Sequence, residues 1–102
     1  MVPRRFIVSQ RVAASAGGTV AKSGDIVLAR VGRNLSLKVA RVSRGSVLIS
    51  DCIWVLEPFP GQAEALFNNL TSLEGRALLD AAAHGVGARF LTANSLLKLS
   101  FS

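Results

Sequence analysis

The sequence predicts an α+β fold: a small antiparallel sheet, a meander of short strands, followed by a helix pair and a short C-terminal strand. Three observations predict it. Up to Pro58 the apolar residues come in short runs separated by Gly, Asn and Ser. Beyond Pro60-Gly61 the period changes, and Ala63, Leu66, Phe67 and Leu70 fall on one face of a helix. Helix-start signals then recur at Thr71-x-x-Glu74 and at Thr92. With 102 residues, a single domain, 1–102, is expected, with a basic β-rich half (1–57) and a helical half (61–102).

Phe6-Ile7-Val8 reads as the first strand. Residues 13–19 are small and end in Gly17-Gly18-Thr19, which predicts a loop. Gly24-Asp25 opens a strand from Ile26 to Val31, apolar on both faces apart from Arg30, so a central position is expected. Gly32-Arg33-Asn34 is a tight-turn signal. Leu35, Leu37 and Val39 then alternate with Ser36 and Lys38, and the phase slips at Ala40. A β-bulge there would keep one face inward and put Lys38 and Arg41 on a common polar face. Arg44-Gly45 turns the chain, and Val47–Ile49 and Cys52–Glu57 are further strands.

The capping box at Thr71 starts a second helix through Leu73, Ala77, Leu78 and Ala81, with Gly85 as its C′ residue. Residues 88–91 read as extended, Thr92 caps one helical turn, and Leu97–Phe101 is a strand-like tail. Trp54, among apolar neighbours, is assigned to the core. Leu66, Phe67, Leu70, Leu73 and Leu78 are assigned to helix packing, in part against a second subunit.

Half of the residues are apolar and the mean hydropathy is +0.43. A dense aliphatic core together with apolar surface covered by another chain accounts for this, so a homo- or hetero-oligomer is expected. No stretch reaches the ~18 uncharged apolar residues of a membrane helix, and no membrane partner is expected. The basic N-terminal segment resembles a targeting peptide only faintly, since Gln10 and Arg11 interrupt its apolar run, and it reads as structure. A single cysteine, Cys52, excludes an internal disulfide. Its apolar setting predicts a buried, inert thiol, consistent with the cytoplasm.

The chemistry-bearing motifs of most enzymes are missing. There is no phosphate loop, dinucleotide fingerprint, zinc spacing or nucleophile elbow. One His and one Cys make a metal site improbable. His84 falls at the end of the second helix, where the dipole favours a cation. The acids are scattered, and Asp80 stands i+4 from Arg76 as an exposed ion pair. No catalytic residue, metal or cofactor is assigned.

What stands out is the charge. Residues 1–44 carry nine of the twelve Lys and Arg against the single acid Asp25, a net +8, whereas residues 45–102 carry a net −2. A basic half joined to a mildly acidic half predicts a surface that meets a polyanion. Arg30, Arg33, Lys38, Arg41 and Arg44 crowd a short span with no intervening acid, and the arginine fork fits guanine O6 and N7 or a phosphate. These five are the candidate DNA-binding residues, with Arg11, Lys22 and Arg89 as flanking phosphate contacts.

The same residues carry a family resemblance. Ser23-Gly24-Asp25-Ile26-Val27-Leu28-Ala29-Arg30-Val31-Gly32 resembles the "GDIL…R.G" strand of target recognition domains in type I restriction–modification specificity subunits. Lys38–Val42 and the strand ending Trp54-Val55-Leu56-Glu57-Pro58 follow in the expected order. Leu66–Leu79 resembles that family's "yL…lnS..gr.ll" helix pair. His84-Gly85, Phe90-Leu91-Thr92 and Leu96–Leu99 are similar to its "Gt…kfLt…L..l.i" ending. The resemblance covers roughly residues 20–101. It implies a non-catalytic domain that reads half of a split double-stranded DNA target and is held beside a DNA methyltransferase subunit. The family carries two such domains joined by long helices; one is recognised here, with no spacer helix after Phe101.

Two other readings differ in class. Gly24–Arg30 followed by Leu35-Ser36-Leu37-Lys38 also resembles the lysine strand of self-cleaving repressors and their serine–lysine peptidase relatives. That resemblance implies Lys38 as general base, and only Ser9 and Ser15 precede it as nucleophiles. The third reading is a protein–protein interaction module whose basic half meets an acidic partner.

Overall fold

Strand pairing in the computed structural model, which describes residues 5–9, 12–15, 20–50, 52–85, 87 and 89–99, builds one main sheet and two small ribbons. The main sheet has five antiparallel strands: β1 (Arg5–Ser9), β2 (Val12–Ser15), β4 (Ile26–Ala29), β6 (Val39–Arg41) and β8 (Ile53–Pro58), in the order β1-β2-β8-β4-β6. One ribbon pairs β3 (Val20–Lys22) with β7 (Ser46–Leu48); the other pairs β5 (Val31–Gly32) with β9 (Arg89–Phe90). Helices α1 (Ala63–Thr71), α2 (Leu73–Ala82) and α3 (Ala93–Lys98) complete an α+β fold.

The register sorts the side chains. Ile26 stands opposite Leu56 and Leu28 opposite Trp54, so these four share one face with Val12 and Ala14. Leu66, Leu70, Leu79, Leu91 and Leu96 from the helical half close over that face as the main core. The opposite face of the sheet presents Val27, Ile53 and Val55, and Ala21 and Ile49 of the β3–β7 side cover it as a second, smaller cluster. Buried on both faces, β4 is the interior strand its continuous apolar run predicts.

Several local readings need correction. Residues 13–15, expected as loop, belong to β2, whose four residues are all buried; small side chains suit an interior strand pressed from both sides. Leu35–Leu37 is a 3-10 helix, so the predicted alternating strand forms only at Val39–Arg41, where it pairs with β4 without the expected bulge. At three residues per turn, positions two apart do not share a face, and Leu35 is buried while Leu37 is exposed. Thr71 does not cap α2, because its hydroxyl donates back to the Phe67 carbonyl at 2.8 Å inside α1. Ser72, extended at ψ 164°, takes the cap, and its Oγ accepts from Gly75 N–H at 3.0 Å.

A methyl group at Gly75 would overlap the Asn69 carbonyl, so glycine is what lets α2 start so close to α1. Gly75 and Leu79 are the buried positions of α2. Leu73 and Leu78, expected in the packing, are 86% and 40% exposed. Gly85 has a positive φ but lies beyond the C-cap Ala83, and His84 pairs with Phe90 through two backbone hydrogen bonds. Leu97 and Lys98, expected in a strand-like tail, are helical; Thr92 does cap that helix, accepting from Ser95 N–H at 3.1 Å. Cys52 is exposed, because it sits in the turn before β8 and burial begins with the strand. Trp54 is buried as expected. No helix among the described residues is long and apolar enough to cross a membrane.

Candidate nucleic-acid interface

The candidate cations fall into three groups. Arg33, Lys38, Arg41 and Arg44 are all exposed and follow one margin of the molecule, the free edge of β6 and its flanking turns. Arg33 lies in the turn after β5. Lys38 closes the 3-10 helix, with its backbone N–H on the Leu35 carbonyl at 3.0 Å. Its Nζ would stand only 3.2 Å from a Cβ placed on Gly32, so it rests beside the Arg33 turn. Lys38 and Arg41 do not share the polar face expected of them, because β6 pairs with β4 in regular register without a bulge and positions three apart alternate to opposite faces. Arg41, paired in register with Ile26, ends β6, and Arg44 follows in the turn to β7.

The turn beneath Arg41 is tied to the β3–β4 corner. Gly24 N–H donates to the Val42 carbonyl at 2.9 Å, Val42 N–H to the Asp25 carbonyl at 2.9 Å, and the Ser23 hydroxyl to the Ser43 carbonyl at 3.2 Å. A depression of ≈ 290 Å³ lined by Ser23, Gly24, Arg41, Val42 and Ser43 opens there. Ser23 and Ser43 line this depression beside Arg41, a placement that the charge count does not reveal. Asp25 is buried in this corner, its carboxylate accepting from Lys22 N–H at 2.9 Å. Burial pushes its carboxyl above the usual range, the Lys22 N–H opposes that rise, and the charge of Glu57 adds to it.

The second group is partnered. Lys22 Nζ lies 3.7 Å from Glu57 Oε1. Arg89 serves the end of α2: Nη2 donates to the Asp80 and Ala83 carbonyls, and Nη1 lies 3.7 Å from Asp80 Oδ1. This replaces the expected Arg76–Asp80 pair; Arg76 Nε is buried with no hydrogen-bond partner. Among the described residues, none of Arg33, Lys38, Arg41 and Arg44 has a carboxylate partner of this kind. Arg11 lies outside the described residues.

Arg30 stands alone as the third case. It follows β4, its backbone N–H donates to the Cys52 carbonyl at 2.8 Å, and its guanidinium lies 5.1 Å from the centroid of the Trp54 ring. The cations expected as one patch are therefore divided among an open margin, the Lys22–Glu57 pair, and the contacts of Arg89 with the end of α2 and of Arg30 with Trp54.

The geometry also bears on Lys38 as a general base. Ser15 sits on β2, three strand positions from β6, roughly 14 Å at the usual spacing. That is far beyond the hydrogen-bond reach a serine–lysine pair requires. No group of three or more metal-ligating side chains occurs among the described residues. No protein-family model matches the chain, and no curated protein matches it.

Proposed function

We propose that this chain is a non-catalytic module that binds double-stranded DNA, in the manner of a restriction–modification target recognition domain. The observation that carries the reading is the open margin of β6. Four cations line it, each exposed, and none among the described residues is neutralised by a carboxylate. Arg33, at the tip of a turn, is the residue placed to enter a groove, and its fork is the one suited to a base edge. Lys38, Arg41 and Arg44 hold the backbone.

The order of elements supports the same reading, with the strand from Gly24-Asp25, the helix pair and the Thr92-capped ending in the sequence the resemblance implies. The exposed apolar side chains Leu37, Leu48 and Leu73 support an oligomeric role, with a methyltransferase subunit as the partner that the resemblance suggests. A panel of duplexes that vary in sequence tests the proposal. Arg33→Ala alters the order of preference among them if Arg33 reads bases, and lowers affinity equally on all if it holds phosphate. Absence of binding to any duplex at low salt refutes the proposal.

A further inference from the structure

Where β4, β8 and β9 end together, the backbone is stitched tightly. Leu91 N–H donates to the Arg30 carbonyl at 2.8 Å, and Val31 stands opposite Phe90. Above this junction lies a groove of ≈ 560 Å³ lined in part by Arg30, Val31, Trp54, Phe90 and Thr92. That volume falls within the ≈ 300–1,000 Å³ typical of small-ligand sites. Three of these residues, Arg30, Trp54 and Phe90, present planar groups. The Trp54 ring is fixed by an Nε1–H bond to the Leu91 carbonyl at 2.9 Å, and the Arg30 guanidinium lies over it. Phe90 is 42% exposed, and the His84 ring backs it at 5.5 Å between centroids.

We infer that this groove takes an unpaired nucleobase, stacked on the Phe90 ring and the outer face of the Arg30 guanidinium. A single guanidinium already engaged with an indole suits a polyanion poorly, and a cation at the rim suits an aliphatic guest poorly. A flat, polar heteroaromatic ring satisfies both surfaces, and stacking on phenyl rings and arginine planes is how proteins hold unstacked bases. The site is joined to the DNA-binding margin through β5: Gly32 pairs with Arg89 next to Phe90 and immediately precedes Arg33. A base that leaves the stack can thus reach the groove while a neighbouring phosphate stays at Lys38. The inference rests on the nucleic-acid reading above and deepens it.

The chain has one Trp and no Tyr, so emission excited in the indole band reports Trp54 alone. Titration with tetrathymidylate is expected to change that emission saturably. Phe90→Leu keeps apolar bulk on β9 but removes the ring, and Arg30→Lys keeps the charge but removes the plane. Each is expected to weaken tetrathymidylate binding roughly five- to a hundredfold, while Phe90→Leu binds a fully paired duplex as the parent does. An unchanged Trp54 emission, or equal tetrathymidylate affinity in Phe90→Leu, overturns the inference. The paired-duplex titration keeps the two readings apart. If duplex binding fails and ring-dependent tetrathymidylate binding persists, the module reading falls and the groove stands; the reverse removes only the groove.

Discussion

The open margin of β6 and the corner where α2, β9 and α3 meet use the same kind of side chain for opposite ends. At the corner, Arg89 spends its donors on the carbonyls that end α2 and on Asp80, and Arg30 lies on Trp54. At the margin, Arg33, Lys38, Arg41 and Arg44 project into water. The difference teaches that a count of positive charge measures potential partners, not available ones. A guanidinium committed to a helix end has its fork occupied, whereas an exposed one is worth little to the fold and is available to a ligand. Substitutions at the corner should therefore cost stability and spare duplex affinity, and substitutions at the margin should do the reverse.

The largest effect falls at the corner. Trp54→Ala removes a buried ring and leaves the Leu91 carbonyl without its indole donor, so a loss of about 3–5 kcal/mol is expected in denaturant unfolding followed by circular dichroism. A loss below about 1 kcal/mol would mean that the corner is not a packed unit.

Arg89→Ala is the sharper discriminator: about 1 kcal/mol of stability lost with the α2 cap, and duplex affinity unchanged. If it lowers duplex affinity as much as Arg41→Ala does, the division between corner and margin is wrong.

The smallest effect concerns Asp25 beneath the margin. Its folded pKa is raised above the unfolded value, so its stabilising contribution is complete below pH 3.8 and is lost as pH rises through the folded value. Asp25→Asn should therefore gain stability relative to the parent as pH climbs from 3.8 toward neutrality. A constant difference across that range would contradict the assignment.

The parts of the fold that were legible in the sequence are those set by local rules. The interior strand from Ile26, the face Ala63–Leu70, the Arg44-Gly45 turn and the Thr92 cap follow from apolar period, glycine and side-chain oxygen alone. What stayed hidden depends on partners distant in sequence. Ala13-Ala14-Ser15 has the composition of a loop, and only its place between β1 and β8 makes it a strand. Leu35-Ser36-Leu37 alternates like a strand, yet it packs as a turn of 3-10 helix near α2. The candidate residues were readable as a charge cluster, but their division was not. Arg89 reaches the end of α2 and Arg30 reaches Trp54 through contacts that no local pattern encodes. The groove at Phe90 joins residues about sixty positions apart and left no local trace.

The central claim is that the β6 margin binds duplex phosphates. Its most direct test is the salt dependence of duplex affinity for the parent chain and for a variant with Arg33, Lys38, Arg41 and Arg44 all changed to Ala. With Lys38, Arg41 and Arg44 neutralising phosphates, the log–log slope should become shallower by about 2.7 in the variant, with affinity lower by roughly five-hundredfold at 0.1 M salt. A variant that folds, binds duplex as the parent does and keeps the parent's slope would contradict the account.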